Sequence, residues 1–264
     1  MSQATRHDAS SANTSSADSA GQPWAGRHFE ANTAADDDGT APAHLLEALA
    51  RFRAGEVGEA AVVDALRTAR LLVPLVAQLG ESGHNDHGHL VDKTQELAIV
   101  TVEGPDGRTV LPAFTSVTAM TAWNPAARPV PAEAVRVAIA AASEQTDLVV
   151  IDARSETEFV IRRPAIWALA QQQAWTPSYL DELVLDAFAE SAAGESAVRS
   201  VALAPGDPAS RLAGPELVVQ LAIAPGLDQR ALDALLAVLQ ERWAASELIA
   251  ERVDSMRVQL VPAA

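Results

Sequence analysis

Apolar residues recur every three or four positions in several stretches of this chain, and this spacing is typical of amphipathic helices. It predicts helices at residues 44–53, 59–70, 131–143 and 178–188, one that begins at Pro164 and one that Asp228 caps. Other stretches are short apolar runs rich in β-branched residues, which favour strands. These runs predict strands at residues 71–77, 96–102, 108–114, 147–152, 159–161, 197–204, 216–224 and 253–261.

Proline, glycine and serine residues refine these boundaries. Pro74 lies inside a predicted strand and indicates an edge position or a bulge, because proline donates no backbone hydrogen bond. The sequence Gly-Pro-Asp-Gly at residues 104–107 is strong turn chemistry and predicts a hairpin. Ser116 is expected to be the N-cap of a short helix. Pro131 is expected in the first turn of the helix that it opens.

The mixture of strands and helices predicts an α/β fold, with a mixed sheet and flanking helices. Residues 1–43 are rich in Ser, Ala, Asp and Thr and predict a disordered, acidic N-terminal extension. Residues 44–175 are expected to form one α/β domain. The pattern restarts after Trp175, so residues 176–264 are expected to form a second, smaller α/β domain. Four tryptophans are expected to anchor the core: Trp123, Trp167, Trp175 and Trp243.

Composition restricts the class of protein. The net charge is −16, and because such a field repels phosphate backbones, nucleic acid is not expected as a partner. The chain has no cysteine, which excludes disulfides and thiolate metal sites and fits a reducing compartment. Neither the apolar run of a secretory signal nor the roughly 20 apolar residues of a membrane helix is found. We therefore expect a cytoplasmic protein without a membrane partner.

Four segments of the chain resemble a known family. They are WAGRHF at Trp24, FRAGEVGEAAVVDALRTARLLVPLVAQLGE at Phe52, DKTQELAIVTVEGPDGRTVLPAFTS at Asp92 and VIRRPAIWALAQQQAWTPSYLDE at Val160. In order and spacing they are similar to the SseB family (enhanced serine sensitivity protein B), in the form common among actinobacteria. The resemblance implies a small cytoplasmic α/β domain, often with a C-terminal companion. It implies no catalytic residues, because the family is named for a phenotype and not for a reaction.

The segment from Trp24 to Glu30 (WAGRHFE) stands out within the polar N-terminal region. A disordered tail gains nothing from Trp24 and Phe29 unless these side chains dock on a surface. The segment, with Arg27 between the two aromatic residues, either packs against its own domain or binds another protein.

Three histidines, His84, His87 and His89, lie within six residues of one another and near acidic residues such as Asp92. Imidazole suits zinc, nickel or copper, and a neighbouring carboxylate would hold the imidazole tautomer. The run is rich in Gly, Ser and Asn, however, whereas zinc sites normally fix their ligands on helices, strands or tight knuckles. The alternatives are a solvated loop, adventitious binding of zinc or nickel, and a functional metal site. No other cofactor is expected.

Four further residues are candidates for binding. Asp152 stands at the carboxyl end of a predicted strand, where open α/β sheets bind ligands, and it either orients a ligand or cation or supports the turn. Arg162 and Arg163 precede the helix that begins at Pro164, a position that suits an anion. An exposed arginine pair would alternatively form surface ion pairs. Lys93, the only lysine, either forms a surface pair or faces a ligand.

Familiar catalytic motifs are missing from the sequence. It contains no Walker A loop, no G-x-G-x-x-G, no G-x-S-x-G and no H-E-x-x-H. Together with the resemblance, this favours a non-enzymatic accessory or regulatory protein that binds a protein or a small ligand. The alternative is a metal-dependent enzyme or metal-binding protein that uses His84, His87 and His89.

Overall fold

The computed structural model describes residues 37–78, 96–143, 146 and 148–263. Within these residues the strands are β1 (Arg70–Gln78), β2 (Glu96–Ile99), β3 (Val102–Glu103), β4 (Thr109–Ala113), β5 (Arg128–Glu133), β6 (Leu148–Ile151), β7 (Phe159–Arg162), β8 (Val198–Pro205), β9 (Leu217–Ile223) and β10 (Met256–Pro262). The helices are α1 (Ala43–Arg53), α2 (Glu59–Leu66), α3 (Val117–Trp123), α4 (Ala134–Ser143), α5 (Arg163–Ala170), α6 (Glu182–Ser191), α7 (Gln229–Ala244) and α8 (Glu247–Arg252). A 3₁₀ turn at Ser178–Leu180 precedes α6. None of the described helices is both long and apolar enough to cross a membrane.

The strands form three mixed or antiparallel sheets, which confirms the predicted fold class. One has the order β2-β1-β5 and is antiparallel throughout. The second has the order β3-β4-β6-β7, with β4 and β6 parallel and the outer pairs antiparallel. An antiparallel bridge between Leu72 and Phe114 connects these two sheets. The third has the order β10-β9-β8, in which β9 and β10 are parallel.

Two hydrophobic cores hold these layers together. In the first, helices α1, α2, α4 and α5 cover one face of the β3-β4-β6-β7 sheet, through Leu111, Ile151 and Phe159 among others. In the second, helices α6 and α7 pack on the inner face of the β10-β9-β8 sheet, around Phe188 and Trp243. The division into domains at residues 44–175 and 176–264 stays a prediction.

Pro74 lies in β1, the central strand of its sheet, and the prediction of an edge position or a bulge is wrong. Pro74 stands opposite Pro129 of β5. Leu72, two residues earlier, donates its N–H to Phe114, on the side away from β5. Since N–H groups alternate in direction along a strand, the missing N–H of Pro74 lies on that same side. The pairing of β1 with β2 includes Leu75 but not Pro74, so the proline falls between the bridge and this ladder.

Three other predicted boundaries are wrong. Pro131 lies in β5, an edge strand in which a missing N–H is tolerated, and α4 begins only at Ala134. Residues 96–102 form two strands that belong to different sheets, instead of one strand. The stretch 178–188 is interrupted at Asp181, whose side chain caps α6 by accepting from the N–H of Leu183.

Several local predictions are confirmed. Ser116 caps α3 by accepting from the N–H of Ala119, and Asp228 caps α7 in the same way. The turn at residues 104–107 joins β3 and β4 as a hairpin. One tryptophan departs from the expected core role, because Trp167 on α5 is 56% exposed.

Candidate functional site

An open cleft lies over the second face of the β3-β4-β6-β7 sheet. Its floor consists of Val102, Val110, Pro112, Val150 and Val160, and its volume is about 620 Å³. Because side chains alternate between the two faces of a strand, the neighbours of these residues point into the first hydrophobic core. The same strands therefore supply both the core of the protein and the floor of the cleft.

The carboxyl ends of two parallel strands form one end of the cleft. Trp123 and Asn124 lie at the end of α3, which follows β4, and Ala153 and Arg154 follow β6. Since β4 and β6 are parallel, the segments that follow them meet at the same end of the sheet. This is the position at which open α/β sheets bind ligands.

The loop between β8 and β9 (residues 206–216) forms a side wall, and its Arg211 and Leu212 line the cleft. Asp207 holds this loop, because its Oδ2 accepts from the backbone N–H of Arg211 at 3.0 Å and of Leu212 at 2.8 Å. At the edge of the sheet, the N–H of Val160 donates to the carbonyl of Ser210 at 2.9 Å. The protein itself therefore fixes this wall in place.

Asp152, a predicted binding residue, is buried just after β6. Its Oδ1 accepts from the backbone N–H of Thr115 at 2.7 Å. Its Oδ2 accepts from the hydroxyls of Thr115 and Thr157, each at 2.8 Å. The backbone of Asp152 has a φ of 48°, a strained left-handed conformation that these bonds offset. The geometry supports the turn role of Asp152, and a direct contact with a ligand stays a prediction.

Three arginines gather where the cleft meets β7. Arg154 lines the cleft, and its backbone N–H donates to Oε2 of Glu158 at 2.6 Å. Arg211 donates to two carbonyls in the loop after β6, at 3.2 and 3.0 Å. Arg53 donates to the carbonyl of Glu158 and, at 2.6 Å, to a carbonyl in the 206–216 loop. Burial and then the charge of Arg211 lower the pKa of Arg53.

Arg162 is buried, so the expectation of an exposed arginine pair is wrong for this residue. Its Nη2 donates to Oδ2 of Asp207 at 2.8 Å and to the carbonyl of Gly214 at 2.9 Å. Its Nη1 donates to Oδ2 of Asp254 at 3.1 Å and to Oγ of Ser255 at 3.3 Å. Two carboxylates of the protein itself therefore supply the anions that this guanidinium binds.

Two more carboxyl groups, Glu59 and Glu216, lie near this ion pair network, and burial raises the pKa of each. Glu59 accepts from the hydroxyl of Ser210. Glu216 accepts from the hydroxyl of Ser178 at 2.8 Å and from the backbone N–H of Asp254 at 2.6 Å. A void of about 10 Å³, roughly the room of one water molecule, is lined by both glutamates.

We call this group of buried side chains the junction, because it connects α2 and β7 to the 206–216 loop and to the segment before β10. Its members are Glu59, Arg162, Asp207, Glu216 and Asp254. Arg108 also pairs with Asp254, at 2.9 Å. The two arginines and two aspartates of these ion pairs balance in charge, and burial favours the neutral form of both glutamates beside them.

Arg163 has a different role from Arg162. Its Nη2 donates to the carbonyls of Ala250 and Val253, at 2.9 and 3.0 Å. These carbonyls lie at the C-terminal end of α8, where a cation also complements the helix dipole. Arg163 therefore caps α8, and the structure does not bring the two guanidiniums together on one anion.

The remaining candidates from the sequence lie outside the described residues. They are Trp24, Arg27, Phe29, Lys93, His84, His87 and His89. Their roles stay predictions. Within the part of the chain that the structure describes, no group of three or more His, Asp or Glu side chains is arranged to hold a metal ion.

The cleft is not evident from the amino-acid sequence. Val110, Val150 and Val160 lie in continuous apolar runs, and such runs do not reveal which face of a strand is covered. The available signal is the arginine in each polar loop next to these runs, at Arg154 and Arg211. Which loops reach the same sheet depends on the topology, which one sequence does not give.

Comparison with known proteins identifies one domain. Residues 45–168 match the family model of the SseB protein N-terminal domain. This range runs from α1 to α5 and includes the whole sheet that carries the cleft. The chain therefore contains an SseB N-terminal domain, which confirms the resemblance found in the sequence. No curated protein and no solved structure matches the chain.

Proposed function

We propose that this chain, with its SseB N-terminal domain, is a non-enzymatic accessory protein that binds a small ligand in the cleft. The observation that carries the proposal is the cleft over the second face of the β3-β4-β6-β7 sheet. Three valines of its floor are buried beside Ala153 and Leu212, between walls that the protein itself holds. A cytoplasmic role fits the cysteine-free sequence.

The size and lining of the cleft support binding of a small molecule. Its volume of about 620 Å³ lies within the roughly 300–1,000 Å³ that is usual for small-molecule sites. Its floor is apolar and its polar groups are few and lie around the edge, as in sites where burial of a ligand gives affinity and polar contacts give orientation.

The walls of the cleft are already ordered, which lowers the cost of binding. Asp207 fixes one wall through two backbone N–H groups, and Asp152 fixes the segment after β6 through two threonines. A ligand that enters such a site orders little of the protein, so more of the gain from burial is kept as affinity.

The chemistry of the lining supports binding over turnover. Among the described residues that line the cleft, no histidine, serine, threonine or lysine offers a nucleophile or a general base of the usual kind. The two carboxylates, Glu103 and Glu158, lie toward opposite edges of the sheet, so they do not form a close acid–base pair.

A fluorescent apolar probe tests the proposal. N-phenyl-1-naphthylamine, which is neutral, should bind the full-length protein saturably at one site with increased emission. In Ala153→Trp the indole fills the carboxyl end of the cleft, and affinity should fall by about tenfold or more. The matched control is Ala234→Trp on the exposed side of α7, where affinity should not change.

Circular dichroism and thermal melts of both variants show whether they remain folded. Equal affinity for the probe in wild type, Ala153→Trp and Ala234→Trp would contradict the proposal, because the probe would then bind elsewhere.

A further inference from the structure

We infer that the ligand of the cleft is an amphipathic organic anion, with its apolar body on the sheet floor and its anionic group beside Arg154 and Arg211. The inference rests on the proposed function, since it specifies the ligand class of the same cleft. It is carried by the uneven distribution of charge around the cleft.

The cations lie toward one edge of the sheet. Arg154 belongs to the loop between β6 and β7, and Arg211 belongs to the wall that hydrogen bonds to β7. Arg53 stands beside them, held by the carbonyl of Glu158. In a chain with a net charge of −16, three arginine residues at one sheet edge are a local excess of cations.

Neighbouring acids do not cancel this charge. Glu158 lines the cleft, and one of its carboxylate oxygens accepts from the backbone N–H of Arg154. The side chain of Asp207 is committed to Arg162 and to backbone N–H groups. Glu103 lies on β3, three strand spacings from β7, which is about 14 Å. Since Glu158 and Asp207 both act on Arg53, the cleft lining at this edge carries Arg154 and Arg211 against Glu158.

Arg154 is placed to meet a ligand. Its side chain is exposed, and within the described residues its guanidinium makes no hydrogen bond or ion pair. Its backbone has a φ of 66°, a left-handed conformation that is uncommon for arginine and is held by the bond to Glu158. The strained backbone thus places an uncommitted cation at the carboxyl end of β6.

Trp123 provides a surface for the apolar body. It lines the same end of the cleft, and its ring packs against Phe114 with 5.2 Å between centroids. A ring that is held in this way presents a flat apolar surface at little entropic cost. Together with the valine floor, it favours an aromatic or chain-like body next to the anionic group.

A pair of probes separates the two parts of this ligand. 8-Anilinonaphthalene-1-sulfonate has the anilinonaphthalene skeleton of N-phenyl-1-naphthylamine and adds one sulfonate. The full-length protein should bind the sulfonate probe more tightly than the neutral one. In Arg154→Gln the affinity for the sulfonate probe should fall about tenfold, while that for the neutral probe changes less than about twofold.

Two further variants complete the test. Arg211→Gln should weaken the sulfonate probe more than the neutral probe, although loss of its two carbonyl contacts also loosens the wall and lowers both affinities. Arg230→Gln, on the exposed side of α7, removes the charge of a residue that does not line the cleft and should leave both affinities unchanged. The preference for the sulfonate probe should also shrink at high salt, because the pairing is at an exposed edge.

The outcomes distinguish the inference from the proposed function. If the neutral probe binds and Ala153→Trp blocks it, but the sulfonate gives no gain or Arg154→Gln weakens both probes equally, the cleft binds ligands and the inference is wrong. If neither probe binds the wild-type protein, the proposed function fails and the inference fails with it.

Discussion

The junction and the cleft share the 206–216 loop, but they use arginine in opposite ways. In the junction, Arg162 is 6% exposed and donates to two carboxylates, one carbonyl and one hydroxyl. In the cleft, Arg154 is exposed next to an apolar floor. A buried cation must be paired inside the protein, whereas an exposed one can pair with a ligand. The difference separates residues that hold the fold from residues that recognise a ligand.

Asp207 connects the two regions. The same Oδ2 accepts from the guanidinium of Arg162 and from the backbone N–H groups of Arg211 and Leu212. The charge of the junction thereby positions the wall of the cleft. Substitutions in the junction should therefore change stability first and binding as a consequence, and substitution of Arg154 in the cleft should change binding alone.

The largest expected effect is that of Arg162→Met. It leaves the buried carboxylate of Asp207 without its cationic partner and leaves Asp254 paired with Arg108 alone. Loss of one member of a buried pair costs about 3–5 kcal/mol. Urea denaturation followed by circular dichroism should show this loss in the free energy of unfolding. Arg230→Met is the exposed control. A loss of less than about 1 kcal/mol would mean that Arg162 contributes no more than a surface ion pair does.

Asp207→Asn should have the next largest effect. The variant keeps the shape of the side chain but weakens its bonds to a cation and to two N–H groups, at a cost of about 1.5–3 kcal/mol. Because Leu212 is then held less firmly, affinity for N-phenyl-1-naphthylamine should fall as well. Full affinity in a destabilised Asp207→Asn variant would show that the junction does not position the cleft wall.

The buried glutamates should make stability depend on pH. Burial raises the pKa of Glu59 and Glu216 above the ordinary 4.5, so the folded protein keeps protons that the unfolded chain has released. Their contribution to stability is complete below pH 4.5 and is lost as the pH rises through the raised values. In Glu59→Gln, which stays neutral, stability should fall less than in wild type as the pH rises above about 5.

Chemical denaturation of both proteins across this range measures the difference. Glu190→Gln, an exposed residue of α6, is the matched control and should follow the wild-type curve. Parallel curves for wild type and Glu59→Gln would contradict a protonated Glu59 in the folded protein.

The smallest expected effect on stability is that of Arg154→Gln. Among the described residues, the hydrogen bond that Arg154 makes is donated by its backbone N–H, and glutamine has the same group. The free energy of unfolding should therefore change by less than about 0.5 kcal/mol. Thermal melts of wild type and variant would establish this. A clear loss of stability would place Arg154 with Arg162 as a residue that holds the fold, and the contrast between the two regions would disappear.

The sequence predicts those parts of the fold that depend on local chemistry. The caps at Ser116 and Asp228 and the turn at residues 104–107 follow from side chains that act within a few residues. The predictions from Pro74 and Pro131 are wrong because the effect of a proline depends on which strands lie beside it in the sheet. Pro74 lies in a central strand, but its missing N–H costs no hydrogen bond of the sheet, because the pairing of β1 with β2 begins only at Leu75.

The site depends on contacts between residues far apart in the chain. The sequence around Arg162 is typical of an exposed arginine before a helix. Only its contacts with Asp207 and Asp254 show that it forms buried ion pairs that hold the fold. The cleft likewise joins a loop after β6 to a loop before β9. Patterns in a single sequence predict neither the ion pairs of Arg162 nor the meeting of these two loops, because the partners lie about 40 to 90 positions apart.

The most direct test of the central claim is a ¹H–¹⁵N correlation spectrum of the labelled full-length protein, titrated with 8-anilinonaphthalene-1-sulfonate. Binding in the cleft predicts the largest shifts at the amides of Val110, Val150, Arg154 and Leu212. The exposed apolar surface around Trp167 and Ile139 is the competing location. Largest shifts at that surface, with the cleft amides unmoved, would contradict the account.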